Sequence, residues 1–210
     1  PLTTLIGSSE LALQRERPAA ELQDVIAENL EDLRRLAIIV NDMLFLSQAD
    51  RGASARRSPV TSLAAELGEI IEYHEASLHD RGLSAVCDGD AKGAFDLSLL
   101  RRALSNLLSN ATRYAKPGST IRVRIASEGG RIRIWVENEG SPIEQEHLPR
   151  LFDRFYRVER SRRQVGASNH GLGLAIVAAI ARMHQGEPFA RSADGITTIG
   201  LDVPSSAATA

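Results

Sequence analysis

The chain has 210 residues, enough to bury a sizeable core without disulfide or metal staples. Lys and Arg number 25 against 27 Asp and Glu, so the net charge of −2 excludes general binding to nucleic-acid backbones. A single cysteine, Cys87, excludes an internal disulfide and a thiolate zinc cluster and fits a reducing, cytoplasmic setting.

No run approaches the roughly 18 apolar residues of a membrane span, and no basic-then-apolar signal opens the chain. The sequence starts at Pro1, without Met and inside a helical pattern, so we expect further sequence upstream. Leu2, Leu5, Ile6, Ser9 and Leu13 make a short stripe, broken at Arg17-Pro18. Leu22, Ile26, Asn29, Leu33, Leu36, Val40, Met43 and Ser47 then follow alternating four-three spacing, a heptad seam widened by Leu30, Ala37 and Leu44. The pattern predicts a helical hairpin. Its core is too small to stand alone, and a second copy completing a four-helix bundle is the most economical cover; packing on the rest of the same chain is the alternative.

Residues 49–59, ADRGASARRSP, carry no periodicity and read as a linker. We therefore expect a dimerisation hairpin with linker over 1–58 and a second domain over 59–210. Leu63, Leu67, Ile70, Ile71 and Leu78 predict an amphipathic helix ending near Gly82, followed by a strand from Leu83 to Cys87. Asp96 is placed to cap a helix running to about Ala115. Ile121, Val123, Ile125 and Ile132, Ile134, Val136 alternate with arginines around Gly129-Gly130, an antiparallel hairpin signal. A helix from Gly171 to His184 with Gly186 as its stop, strands over Pro188–Ser192 and Thr197–Val203, and a disordered tail SSAATA complete the pattern. Paired strands with segregated helices predict an α+β sandwich with a mainly antiparallel sheet.

Three segments carry candidate chemistry. On the helix after Asp96, Leu100, Leu104, Leu107, Leu108 and Ala111 fall on one side and Asn106, Asn110 and Arg113 on the other. Paired asparagines are poor helix formers where nothing requires them. Asn138-Glu139-Gly140-Ser141-Pro142-Ile143 leaves a strand through glycine, which lets a ligand approach the backbone. His170-Gly171-Leu172-Gly173 opens an apolar helix, whose first N–H groups suit phosphate. Between the last two, LFDRFYR at 151–157 leads into a long arginine-rich loop of the length found in lids.

In this order, Asn-Leu-Leu-x-Asn-Ala-x-Arg-Tyr at 106–114, Val-x-Asn-x-Gly at 136–140, LFDRFYR at 151–157 and GLGLAI at 171–176 resemble the N, G1, F and G2 boxes of sensor histidine kinases of two-component systems. PLTTLIG at 1–7 resembles the tail of that family's H box, and EHLPRLFDRFYR resembles the heavy-metal sensor subgroup. The resemblance implies an ATP-binding sandwich of the fold shared by gyrase, chaperone and mismatch-repair ATPases (the GHKL type). It implies ATP and Mg²⁺ as cofactors, with Asn110 and Asn106 holding Mg²⁺ and Arg113 and Tyr114 beside phosphates and nucleoside. Asn138, where the family usually has aspartate, would meet the adenine amino group, and Gly140 and Ile143 would shape the base pocket. Arg157 would meet the terminal phosphate, Gly171, Leu172 and Gly173 would offer backbone N–H groups, and Phe152 and Phe155 would pack the base of the lid.

Pro142 and Asn169 stand where glycines are common, a departure that touches loop and lid geometry. The five histidines, His74, His79, His147, His170 and His184, match no phosphoacceptor motif, so the acceptor is expected upstream of Pro1. The implied partners are a second copy of the chain and a response-regulator receiver domain, with no nucleic acid, in a parent protein anchored at the cytoplasmic side of the inner membrane. Two other readings stand beside this one. A hydrolysing ATPase of the same superfamily would carry a water-activating glutamate where Asn106 stands. A nucleotide-free dimerisation module is the second.

Overall fold

The structure, a computed structural model, describes residues 2–14, 18–158 and 170–206. The arginine-rich loop from 159 to 169, Asn169 included, and the tail 207–210 lie outside the described residues. The chain divides into two compact units, residues 1–45 and 46–210.

In the first unit, α1 (Leu2–Leu13) and α2 (Ala19–Asp50) form the expected hairpin, with the last turn of α2 belonging to the second unit. A polar clasp sets its register. Ser8 Oγ donates to Asn29 Oδ1 at 2.6 Å, and Asn29 Nδ2 donates to Ser9 Oγ at 3.0 Å. The half-buried stripe of α2 runs through Val25, Asn29, Asp32, Leu36 and Ile39 and shares Asn29 and Leu36 with the heptad seam. Leu22, Ile26, Leu33, Val40 and Met43 stay exposed.

The second unit is the α+β sandwich the alternation predicts. Its five-stranded sheet has the order β2-β4-β5-β7-β6, built from β2 (Ser84–Asp88), β4 (Thr120–Glu128), β5 (Arg131–Glu139), β6 (Glu187–Ala193) and β7 (Ile196–Pro204). Only the β2–β4 pair is parallel. Ile121, Val123, Ile125, Ile132, Ile134, Val136, Ile199, Leu201 and Val203 are buried against α3 (Leu63–His79), α4 (Leu97–Tyr114) and α5 (Gly173–Met183). Each such side chain contributes roughly 1.5–3 kcal/mol when fully removed from water. On the other face the strand arginines pair with acids: Arg124 with Glu137 at 2.9 Å, and Arg133, also at 2.9 Å, with Asp202, which Arg131 contacts as well.

Local chemistry sets the helix ends. Ser62 accepts from Ala65 N at 3.1 Å to start α3, and Asp96 accepts from Leu99 N at 3.2 Å to start α4. The end of α5 differs from expectation. Gln185, with φ of 57°, is the left-handed residue, whereas Gly186 is needed because a Cβ there would collide with the Asp202 carbonyl. A second, two-stranded sheet pairs β1 (Ser58–Val60) with β3 (Gly93–Phe95), strands too short to leave a periodic trace. The segment read as a linker is hydrogen-bonded: Ala55 N donates to Met183 O at 3.0 Å, Arg56 N to Asp96 Oδ2 at 3.0 Å, and Arg57 to the carbonyls of Ser206 and His184. Of the expected disordered tail, Ser205 is tied to Gly130 by its backbone N–H and by its hydroxyl, each at 2.9 Å.

Candidate functional site

The polar face of α4 lies opposite its buried leucines, as the helical projection requires. Asn106 Nδ2 donates one turn back to Arg102 O at 2.9 Å, which leaves Oδ1 turned toward the start of α5. A Cβ on Gly173 would lie 2.8 Å from that oxygen, so glycine is what allows the helix end to approach it. Asn110, one turn on, and Arg113 are half-buried on the same face. Arg113 Nη1 is buried with no hydrogen-bond partner among the described residues. Burial holds the Arg113 guanidinium below its ordinary value, with Tyr114 opposing the shift and the charges of Arg157 and Arg81 adding to it. Three arginines thus gather where a buried donor waits for an acceptor, an arrangement suited to a polyanion.

A second cluster forms where β5 ends. Asn138 continues the inward stripe of Ile132, Ile134 and Val136 and is 5% exposed, an amide at the mouth of an apolar face. Its Nδ2 donates to Glu139 O at 3.3 Å, leaving Oδ1 to accept from a ligand. Gly140 fits between Tyr114 and Asn138: a Cβ there would come within 2.5 Å of Tyr114 O and 3.3 Å of Asn138 Nδ2. Ala115 bridges to Gly140, so the end of α4 and the loop after β5 are one piece. Ile143 is half-buried, and its N–H donates to Ser192 Oγ at 3.0 Å.

The third cluster joins the F and G2 segments. Phe155 N donates to Gly171 O at 2.9 Å, and both residues are left-handed, with φ of 62° and 72°. A Cβ on Gly171 would come within 2.8 Å of the Phe155 backbone. That turn throws the Phe155 side chain outward, 56% exposed, while Phe152 is half-buried; the lid they are expected to pack lies outside the described residues. His147 packs within the same segment. Its Nδ1 lies 2.7 Å from the Tyr156 hydroxyl, and Arg150 sits 4.4 Å over the same ring. Leu172 is buried at the foot of α5, and Arg157 is half-buried. Asp50, at the end of α2, pairs with Arg154 at 2.5 Å.

Two residues of this region escaped the sequence reading. Ser192 and Thr197 are 8% and 6% exposed, and their hydroxyl oxygens are 3.3 Å apart. Thr197 is the register partner of both Ser192 and Asn138. The available signal was alternation, since Thr197 continues the inward stripe of Ile199, Leu201 and Val203.

Comparison with known proteins agrees with this geometry. Residues 95–206 match the family described as histidine kinase-, DNA gyrase B- and HSP90-like ATPase, and residues 1–52 match the His Kinase A (phospho-acceptor) domain. The sensor histidine kinase CusS of Escherichia coli (strain K12) is 48% identical over 187 residues, covering 89% of this chain and 39% of that protein. The sensor protein CzcS of Cupriavidus metallidurans is 38% identical over 205 residues, covering 97% and 43%. The chain therefore spans about two fifths of the length of these relatives. Among solved structures, the Acinetobacter baumannii histidine kinase AdeS superposes with a TM-score of 0.79 at 19% identity, covering 98% of this chain and 95% of that one. A histidine kinase ThkA in complex with the response regulator protein TrrA superposes with a TM-score of 0.73 at 18% identity, covering 98% and 57%. At those identities the likeness is one of fold. The fold, the N-to-G2 order of its boxes and the match over residues 95–206 together place the chain in the histidine kinase-, gyrase B- and HSP90-like ATPase family, with the domain pair found in sensor histidine kinases.

Proposed function

We propose that this chain is the catalytic and dimerising portion of a two-component sensor kinase that binds Mg·ATP and passes its γ-phosphoryl group to a histidine and thence to a response-regulator aspartate. The observation that carries the reading is the buried Arg113 Nη1, unpartnered among the described residues and flanked by Arg157 and Arg81. The residues fit the group. Asn106 Oδ1 and the Asn110 amide are neutral oxygen donors suited to Mg²⁺ already partly neutralised by triphosphate. When bound, the ion would offset the negative charge that builds up on the phosphates in transfer. Gly171, Leu172 and Gly173 present N–H groups to those phosphates, Arg157 meets the terminal one, Tyr114 lies beside the nucleoside, and Asn138, Gly140 and Ile143 receive the base.

Asn106 bears on the reaction class. A hydrolysing relative needs a carboxylate there to take a proton from water, and an amide cannot take it, which favours transfer to protein. In-line transfer also needs a nucleophile facing the γ-phosphate. All five histidines of this chain lie between 74 and 184, off the hairpin helices, and His74 and His184 are buried. The 210-residue chain is therefore expected to bind Mg·ATP without labelling itself.

The exposed seam of α2 supports a homodimer through the hairpin, since a second copy would cover it. No helix among the described residues is long and apolar enough to cross a membrane. We place the chain on the cytoplasmic side of the inner membrane, where a receiver domain is its partner. The resemblance of EHLPRLFDRFYR to the heavy-metal subgroup supports a metal stimulus for the parent protein.

Calorimetric titration with Mg·ATP tests the reading. Asn110→Ala should lose about 1–3 kcal/mol of binding, the scale of a contact to charge. Equal affinity in variant and parent removes Asn110 from the site. No binding by the parent would favour the nucleotide-free module, to which Pro142 and Asn169 lend support.

A further inference from the structure

We propose that Ser192 is a positioning residue for the base end of this site, acting by fastening the loop from Gly140 to Ile143; this rests on the nucleotide reading above. Asn138, Thr197 and Ser192 form one row across β5, β7 and β6. All three are buried, and the next row inward, Val136 and Ile199, is apolar. Hydroxyls in such a stripe are costly unless hydrogen-bonded. Ser192 Oγ meets that need by accepting the Ile143 N–H at 3.0 Å and by lying 3.3 Å from Thr197 Oγ1. The two ends of the loop are held differently. Gly140 N donates to Gly195 O at 3.0 Å, backbone to backbone, while the Ile143 end is held through the Ser192 side chain and can be cut by one substitution. Pro142, with its fixed φ, passes the placement of Ile143 back toward Gly140 and Asn138. The phosphate end, Asn106, Arg113 and Gly173, is built on α4 and α5, apart from the Ser192–Ile143 hydrogen bond.

The test uses the 210-residue chain with Mg·ATP and, as a probe without a base, Mg·tripolyphosphate. Ser192→Ala is nearly isosteric, and the freed Ile143 N–H can turn to water. We expect it to weaken ATP binding roughly tenfold, the equivalent of one lost hydrogen bond at about 1.4 kcal/mol per decade. Tripolyphosphate binding should stay within about twofold of the parent, and Ser192→Thr, which keeps the hydroxyl, should restore ATP affinity. Unchanged ATP affinity in Ser192→Ala overturns the proposal. So does an equal loss for ATP and tripolyphosphate, which would mark general damage, or a failure of the threonine variant to recover. A parent chain that binds tripolyphosphate and ATP alike removes the base site itself, and one that binds neither removes the nucleotide reading with it.

Discussion

Replacing Asn138 by aspartate should widen the preference for ATP over GTP while lowering the stability of the nucleotide-free chain. The amide offers an oxygen to the adenine amino group and an NH₂ to the adjacent ring nitrogen; flipped, it matches the carbonyl and N–H of guanine. Aspartate only accepts, so it has nothing to donate to the guanine carbonyl. A hydrogen bond to a charged acceptor contributes roughly 1.5–3 kcal/mol against roughly 0.5–1.5 for a neutral one, so the ATP-to-GTP gap should grow by about 1–2 kcal/mol. The surroundings set the cost. Asn138 is 5% exposed, and its Nδ2 donates to Glu139 O at 3.3 Å, where a carboxylate oxygen would face a carbonyl oxygen. Thr197, its cross-strand neighbour, carries a hydroxyl that can donate to the new charge and offsets part of the penalty. A loss of about 1–3 kcal/mol in unfolding free energy is therefore expected without nucleotide. Competition binding and chemical denaturation measure the two effects separately. An unchanged or narrower ATP preference would refute the assignment of Asn138 to the base.

Replacing Leu33 and Leu36 by aspartate puts charge into the proposed dimer seam, and sedimentation should show monomer; an unchanged dimer would place the interface elsewhere. Stability should fall on acidification through a window set by His184 and His74, both held below their ordinary value by burial. His184 Nδ1 faces Ile180 O at 2.9 Å and its Nε2 accepts the Asp96 N–H at 3.1 Å, so a second proton has no acceptor. Below about pH 6.5 the unfolded chain takes up protons that the folded chain refuses, so the contribution is full above that pH and is lost as pH falls toward the lowered folded-state values. Melting curves from pH 8 to 5.5 should show this decline, and His184→Gln should flatten it; a parent curve flat across that range contradicts the argument. Incubation with γ-labelled ATP should leave the chain unlabelled, and acid-labile label on any of its five histidines would overturn the expectation that none of them is the acceptor.

What was legible in the sequence is what depends on a single element. The helical hairpin, the Asp96 cap, the alternation around Gly129-Gly130 and the asparagine face of α4 are all periodic or local, and each appears where the pattern puts it. Even Asn138 could be assigned inward, because it prolongs the stripe Ile132, Ile134, Val136. Ser192 and Thr197 could not be joined to it, since their meeting depends on the registers of two further strand pairs. The same reasoning explains residues 49–59. Small polar residues look like free linker in one dimension, yet their backbone donors find Met183 and Asp96, far along the chain. The turn after α5 separates two causes that sequence merges: Gly186 suggested a left-handed stop, but Gln185 takes that conformation and Gly186 serves the approach of the Asp202 carbonyl. A glycine motif therefore establishes that backbone must pass close by, and only the neighbouring strand says against what. By that criterion Gly173 is the informative glycine of the site, because what it lets approach is Asn106 Oδ1, a polar atom whose own donor is already committed to Arg102.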